Sequence, residues 1–229
     1  MARWLRCFAV LLKKELRLEA RGKELCTLLL CSALMIAIVV GAGVSSTMLD
    51  SETTRKLYPM LLWVVFLLTA TTASVRANES ELEGRGFEGL LLAGVTGPQL
   101  YTAKVCVASV LFFLTWTVLV LLLGVVLDQR IAPIFCDLLA IGGGASVVLA
   151  ALVVLLSAIT ATARLRGVLL PLVTIPLLFP LFFAGVEMTT ACVLYGAVES
   201  GSIWPSIMLV SATAFILVGI NTYELAIRE

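Results

Sequence analysis

The chain has 229 residues, of which 61% are hydrophobic and 14% are charged, and its formal net charge is +1. A soluble protein has roughly 45–50% apolar and roughly 25% charged residues, so this apolar excess indicates a protein solvated by lipid. The small net charge gives no indication of nucleic-acid binding. The sequence has no histidine, which excludes the commonest general base at neutral pH and the usual haem axial ligand from this chain.

The N-terminal segment 3–21 has an amphipathic helical pattern. Leu5, Phe8, Leu12 and Leu16 recur at the spacing of one helical face. The membrane-surface cations gather on another face: Lys13, Lys14, Arg17 and Arg21. This pattern predicts an interfacial helix that lies flat, with its cations near anionic headgroups. Two interpretations stay open, a plain membrane anchor and a lever that reports the movement of a cytoplasmic partner.

Six apolar segments follow, each near or above the roughly 18–20 residues that cross a hydrocarbon core. The predicted spans are about 25–47, 57–75, 105–127, 138–163, 167–186 and 203–225. They predict an all-α integral membrane protein with a single transmembrane domain over residues 1–229. The short segment 128–137 predicts a tight turn between the third and fourth spans. The basic lead before the first apolar run is long, so we expect that run to be retained rather than cleaved as a signal peptide.

The orientation of the spans follows from the distribution of Lys and Arg. Of the 16 Lys and Arg residues in the chain, only Arg55, Lys56 and Arg130 fall in connections on one side. The others fall in the N-terminal segment, the second and fourth connections and the tail. Because cytoplasmic segments are enriched in Lys and Arg, both termini are expected in the cytoplasm.

The second connection is the longest polar segment, and it is rich in acidic residues. Its candidate docking residues are Glu79, Glu81, Glu83, Arg85, Glu88, Leu90 and Leu91. Acidic residues suit the first turns of a helix, and the leucines then present an apolar surface. We expect a cytoplasmic coupling helix over 78–94 that docks a partner; the alternative is an interfacial loop. Gly94, Gly97 and Pro98 predict a turn before the third span.

The fifth span contains Pro171, Pro176 and Pro180. Each proline removes a backbone donor, so the helix is expected to kink and to pack inside the protein. A hinge or pathway role and a passive shape are both compatible with this pattern. The following segment 187–205 predicts a short re-entrant or interfacial piece. In it, Glu187 is either a buried functional carboxylate or a residue at the headgroup level.

The remaining polar side chains give no sign of a catalytic or metal site. The six cysteines form no CxxC motif, and no nucleophile has a base beside it in the sequence. We therefore expect a chain that is not an enzyme. Cys136 and Cys192 are either plain apolar residues or a disulfide at the outer face. Gly142, Gly143 and Gly144 predict a surface for close helix packing.

Three segments together resemble the CcmB family, the membrane subunit of the haem exporter in cytochrome c maturation. They are KKELRLEARGKE (13–24), NESELEGRGFEGLLLAG (78–94) and ARLRGVLLPLVTIPLLFPLFFAGVEMT (163–189). The resemblance covers essentially the whole chain in length and span order. It implies a permease of the ABC-2 type in the bacterial cytoplasmic (inner) membrane.

The resemblance also implies the partners. They are a CcmA-like ATPase, CcmC-like and CcmD-like membrane subunits and a CcmE-like haem carrier, with a homodimer of this chain in the complex. ATP and Mg belong to the ATPase, and this chain is expected to hold no cofactor, with haem ligated by other subunits. The alternatives are an ABC-2 exporter of another lipid-like or drug-like substrate, and a non-transporting scaffold of the haem-handling complex.

Overall fold

The computed structural model describes residues 8–17, 24–47, 49–82, 96–159, 166–198 and 201–228. These residues form seven helices and no strand, which confirms the prediction of an all-α protein. The helices are α1 (8–17), α2 (Glu24–Ser46), α3 (Ser51–Leu82), α4 (Gly97–Val126), α5 (Phe135–Ile159), α6 (Arg166–Tyr195) and α7 (Trp204–Arg228). A 3-10 turn, Ala132–Ile134, precedes α5.

Five helices, α2 and α4 to α7, are long and apolar enough to cross a membrane. The prediction of an all-α membrane protein is therefore confirmed, but the count of six spans is not. Helix α3 is not one of the five, although it has 32 residues. Its first turns carry Glu52, Arg55 and Lys56, and the charge-free segment predicted as the second span, 57–75, begins only after them.

Helix α5 lies at the centre of the bundle, against α3, α4, α6 and α7, while α2 packs on α3 and α4. An aromatic cluster joins α3 to α4. The ring centroids of Trp63 and Trp116 are 5.0 Å apart, and Phe66 lies 5.0 Å from Trp116 and 6.0 Å from Trp63. All three side chains are fully buried, so they contribute a large share of the buried apolar surface.

Glycines provide the space for these large rings. The Trp116 indole lies directly on Gly142, where a Cβ would overlap it, and its Nε1 donates to the carbonyl of Leu138 at 2.9 Å. Tyr101 lies in the same way on Gly219, with its hydroxyl 3.0 Å from the Ala151 carbonyl oxygen. The glycine surface predicted in α5 is thus filled by an aromatic side chain.

Helix α4 begins at Gly97, so the turn predicted at Gly97 and Pro98 is wrong. The backbone N–H of Thr96 donates to Oε1 of Gln99 at 3.2 Å, as in a capping box, and proline is tolerated in a first helical turn. At the other end the predicted tight turn is present. Asp128 adopts a φ of 50°, and the N–H of Gln129 donates to the carbonyl of Gly124 at 2.8 Å.

Helix α6 continues to Tyr195, so the re-entrant piece predicted over 187–205 is wrong for its first half. The helix ends at Gly196, which has a φ of 88° and donates its N–H to the carbonyl of Cys192 at 3.0 Å. A glycine in this conformation is a common helix terminator. Cys192 is buried, Cys136 is exposed and both thiols are free, so the structure does not contain the disulfide considered between them.

Candidate functional site

Helix α3 extends directly into the acidic segment that the sequence singled out. It continues to Leu82, so Glu79 and Glu81 lie on the same helix as the buried Trp63. The coupling helix predicted over 78–94 therefore does not begin as a separate element, because no glycine or proline lies between Trp63 and Gly84. The other candidate docking residues lie outside the described residues: Glu83, Arg85, Glu88, Leu90 and Leu91.

Two side chains of α3 bind α6 near its C-terminal end. Nε1 of Trp63 donates to Oγ1 of Thr189 at 3.0 Å, and the Trp63 indole lies on Gly185. Nε of Arg55 donates to the carbonyl of Val193 at 3.0 Å, and its Nη2 contacts the same oxygen. A guanidinium at a helix C-terminus also interacts favourably with the helix dipole. We call these five residues the α3–α6 seam.

The seam residues of α6 have a helical periodicity in the sequence, but this periodicity can be interpreted only once the contact between α3 and α6 is known. Gly185, Thr189 and Val193 recur every four residues, which places them on one face of α6. Arg55 and Trp63 are likewise two helical turns apart on α3. Sequence reasoning missed these residues because a pairing between two helices distant in the chain leaves no local pattern.

The proline-bearing face of α6 points away from the bundle. Pro176, Pro180 and Glu187 are exposed, and Pro171 lies in the first turns of the helix. The prediction that this span packs inside the protein therefore holds for only one face of α6, and both interpretations of Glu187 stay predictions. Small residues such as Ala184 and Gly185 let α6 pack closely against its neighbours on the other face.

Helix α1 presents its cations to solvent. Lys13, Lys14 and Arg17 are exposed, and Arg21 lies outside the described residues. Its packed face is rotated from the predicted one: Leu11 is buried, whereas Leu16 is 44% exposed. The reason is that Leu11 and the half-buried Phe8 and Leu12 share the side that faces the bundle core.

The N-terminal end of α3 carries an exposed ion pair. Nζ of Lys56 lies 2.6 Å from Oε1 of Glu52, and this hydrogen bond raises the pKa of Lys56. Within the described residues, no three His, Cys, Asp or Glu side chains lie close enough together to hold a metal ion. The polar groups that the structure brings together thus form links between helices.

The family model described as CcmB protein matches residues 6–227, nearly the whole chain. The chain belongs to the CcmB family. No curated protein matches it. A CcmB protein is a membrane component of the haem exporter of cytochrome c maturation, in a Ccm complex with other membrane subunits and an ATPase. With its five apolar helices, this CcmB chain is a multi-pass protein of the inner membrane.

Proposed function

We propose that this chain is the permease subunit, of the ABC-2 type, that couples ATP hydrolysis in a CcmA-like partner to loading and release of the haem carrier. In this proposal α3 is a sixth span, both termini are cytoplasmic and two copies form a homodimer in the complex. The segment 78–94 docks on the ATPase. The chain itself carries out no chemistry.

The observation that carries the proposal is the unbroken length of α3, Ser51–Leu82. Thirty-two helical residues extend about 48 Å at 1.5 Å per residue. This exceeds a hydrocarbon core of about 30 Å, so the helix can span the membrane and still project past it. The projecting end carries Glu79 and Glu81 and leads directly into the rest of the acidic segment.

The seam supports a mechanism for transmission across the membrane. When the ATPase dimer closes on ATP, the docked segment moves, and the part of α3 that follows the internal Pro59, with Trp63 on it, moves with it as one rod. Because Arg55 and Trp63 hold α6 at the outer end of α3, the displacement reaches α6. Pro176 and Pro180 weaken the backbone hydrogen bonding of α6, so this helix yields at its middle. Helix α1 follows the movement at the cytoplasmic surface.

Tight haem ligation is assigned to other subunits, because histidine is absent from the sequence. The CcmC-like and CcmD-like subunits and the CcmE-like carrier are the remaining candidates. Purified on its own, this chain is expected to give no stoichiometric haem complex with a defined ligand-field spectrum. Such a spectrum, lost on substitution of one Met or Cys, would contradict the assignment.

Co-purification in detergent tests the docking. The wild-type chain is expected to capture the ATPase subunit and change its turnover, and the Glu83→Lys, Glu88→Lys double variant to lose both. The matched control is Glu52→Lys, a charge reversal at the opposite, exposed end of α3, which should capture the ATPase like the wild type. If the double variant captures as much ATPase as the wild type does, docking through the segment 78–94 is overturned.

The turnover of the captured ATPase distinguishes the proposal from its main alternative. A permease alters the turnover of its ATPase, whereas a scaffold binds it and leaves turnover unchanged. Capture with unaltered turnover would therefore favour the scaffold.

A further inference from the structure

Tyr101 lies in the first turns of α4, near the end of this helix that follows the acidic segment. Helix α4 begins at Gly97, and four residues at 1.5 Å per residue place Tyr101 about 6 Å along the axis. The side chain is fully buried. Its ring lies on Gly219 of α7, where a Cβ would overlap it. The beginning of α4 is thus in direct contact with the C-terminal helix of the chain.

The Tyr101 hydroxyl lies between carbonyl groups of two other helices. Its oxygen is 3.0 Å from the carbonyl oxygen of Ala151 on α5 and 3.1 Å from the carbonyl oxygen of Phe215 on α7. A tyrosine hydroxyl has one proton, so it donates to one of these acceptors at a time or is shared between them. Because the two distances are nearly equal, the hydroxyl can donate to either helix by a small rotation about its C–O bond.

Neither carbonyl depends on Tyr101 for its hydrogen bond. Ala151 lies inside α5 (Phe135–Ile159) and Phe215 lies inside α7 (Trp204–Arg228), so each carbonyl also faces the N–H four residues later in its own helix. The carbonyl that the hydroxyl leaves keeps this helical donor, and the hydroxyl itself stays bonded. Exchange between the two helices therefore leaves no buried polar group unsatisfied, which is the usual cost of breaking a buried hydrogen bond.

Tyr58 of α3 provides a contrast. It is also fully buried, and its hydroxyl donates to the carbonyl of Val120 on α4 at 3.2 Å. That hydrogen bond joins two helices, as do those of the Trp63 and Trp116 indoles. The Tyr101 hydroxyl instead reaches two helices besides its own. A contact of this kind persists while one helix shifts against the others, whereas the Tyr58 contact is broken by such a shift.

We propose that Tyr101 is a positioning residue that transmits movement of the docked segment 78–94 to α7, its hydrogen bond passing between the carbonyls of Ala151 and Phe215 as the first turns of α4 shift. This inference rests on the proposed function, because the ATPase supplies the movement. The seam carries displacement from α3 to α6, and Tyr101 adds a second route that starts at the other end of the same segment. Helix shifts of about 1–2 Å are typical of such transitions, so the hydroxyl stays within reach of one of its two acceptors.

ATPase turnover in the co-purified complex tests this route. Tyr101→Phe keeps the ring on Gly219 and removes the hydroxyl, and Tyr58→Phe makes the same chemical change at another fully buried site. Both variants should capture the ATPase as the wild type does, because neither alters the segment 78–94. Each loses one buried hydrogen bond, so their Tm values should fall by similar amounts. Tyr101→Phe is expected to reduce the wild-type change in turnover by about threefold or more, and Tyr58→Phe by less than about twofold.

A distance between two spin labels reports the movement of α7 itself. One label is attached to Cys136 of the central helix α5, which is exposed, and the other to a Leu217→Cys variant of α7, at a site that is 61% exposed. The other cysteines are replaced by alanine. When the captured ATPase is trapped with ATP and vanadate, this distance should shift in the wild-type background and in Tyr58→Phe. The shift should be lost in Tyr101→Phe, which a merely stabilising role of Tyr101 does not predict.

The wild-type chain separates failure of this inference from failure of the proposed function. If the wild type captures the ATPase but changes neither its turnover nor the position of α7, the coupling proposal fails and the route through Tyr101 fails with it. If the wild type changes turnover and α7 does not shift, only the route is overturned, and this outcome needs no variant that folds. If turnover and the α7 shift respond equally in Tyr101→Phe and Tyr58→Phe, coupling stands and the role of Tyr101 is overturned.

Discussion

Helix α6 presents two faces of similar apolar composition and different contacts. On the inward face, the hydroxyl of Thr189 and the carbonyl of Val193 each receive a donor from α3. On the outward face, Pro176, Pro180 and Glu187 are exposed and bind no other described helix. Hydrophobicity does not separate these faces, since both lie within one apolar span. Contacts with α3 separate them: one face packs within the chain, and the other is exposed.

The largest expected effect comes from filling the space under Trp63. A Cβ at Gly185 would overlap the Trp63 indole, so Gly185→Ala should destabilise the protein by about 1–3 kcal/mol through overpacking. Differential scanning calorimetry of the detergent-solubilised protein measures the shift in Tm. Gly43→Ala is the matched control, because no atom lies within 4 Å of a Cβ there; it should stabilise α2 slightly through helix propensity. An equal decrease in the Tm of Gly185→Ala and Gly43→Ala would contradict the close fit of α6 to α3.

The hydrogen bond between Trp63 and Thr189 should contribute less. Trp63→Phe keeps an aromatic ring and removes the indole N–H, and Thr189→Val removes the acceptor. A double-mutant cycle is expected to give a coupling free energy of about 0.5–1.5 kcal/mol. In the co-purification experiment each single variant should keep ATPase capture and lose part of the wild-type change in ATPase turnover. Additive effects on stability would show that the two side chains do not interact.

Removing the contact between Arg55 and the Val193 carbonyl should open the α3–α6 seam locally. Arg55→Met removes both donors to the Val193 carbonyl, a contribution of about 0.3–1 kcal/mol for a cation at a helix C-terminus. Maleimide labelling of the adjacent Cys192, which is fully buried, should then accelerate about two- to fivefold. Cys136 is exposed and should react at the same rate in both proteins. An unchanged labelling rate of Cys192 would show that Arg55 does not help to hold α3 against α6.

The smallest effect is expected at the exposed pair of Lys56 and Glu52. The raised pKa of Lys56 means that any stabilisation from the pair is fully present below the pKa of a free lysine and is lost as the pH rises through the higher folded-state pKa. Both side chains are solvated, so Lys56→Gln should leave the Tm unchanged at pH 7. A clear decrease in the Tm of Lys56→Gln would mean that the ion pair helps to hold Arg55 in position.

The sequence allowed the helical membrane class to be predicted because hydropathy over a span-length window is a local property. The sequence predicts the course of α3 into the acidic segment only in part. The acidic residues favour the start of a new helix, although no glycine or proline between Trp63 and Glu79 ends α3. The two faces of α6 could not be predicted. In an apolar helix, the side that packs is determined by the shape of the residues on the neighbouring helix. Here the Trp63 ring of α3 fits against Gly185 of α6.

The neighbouring indoles of Trp63 and Trp116 have a consequence for spectroscopy. The chain has four tryptophans, and the centroids of this buried pair are only 5.0 Å apart at an interplanar angle of 57°. Two tilted chromophores at such a separation couple their electronic transitions, which produces a paired circular dichroism signal in the near ultraviolet. Since one ring belongs to α3 and the other to α4, the amplitude of that signal depends on how these helices sit against each other. The indole pair thus reports on the packing of α3 against α4 without an added label.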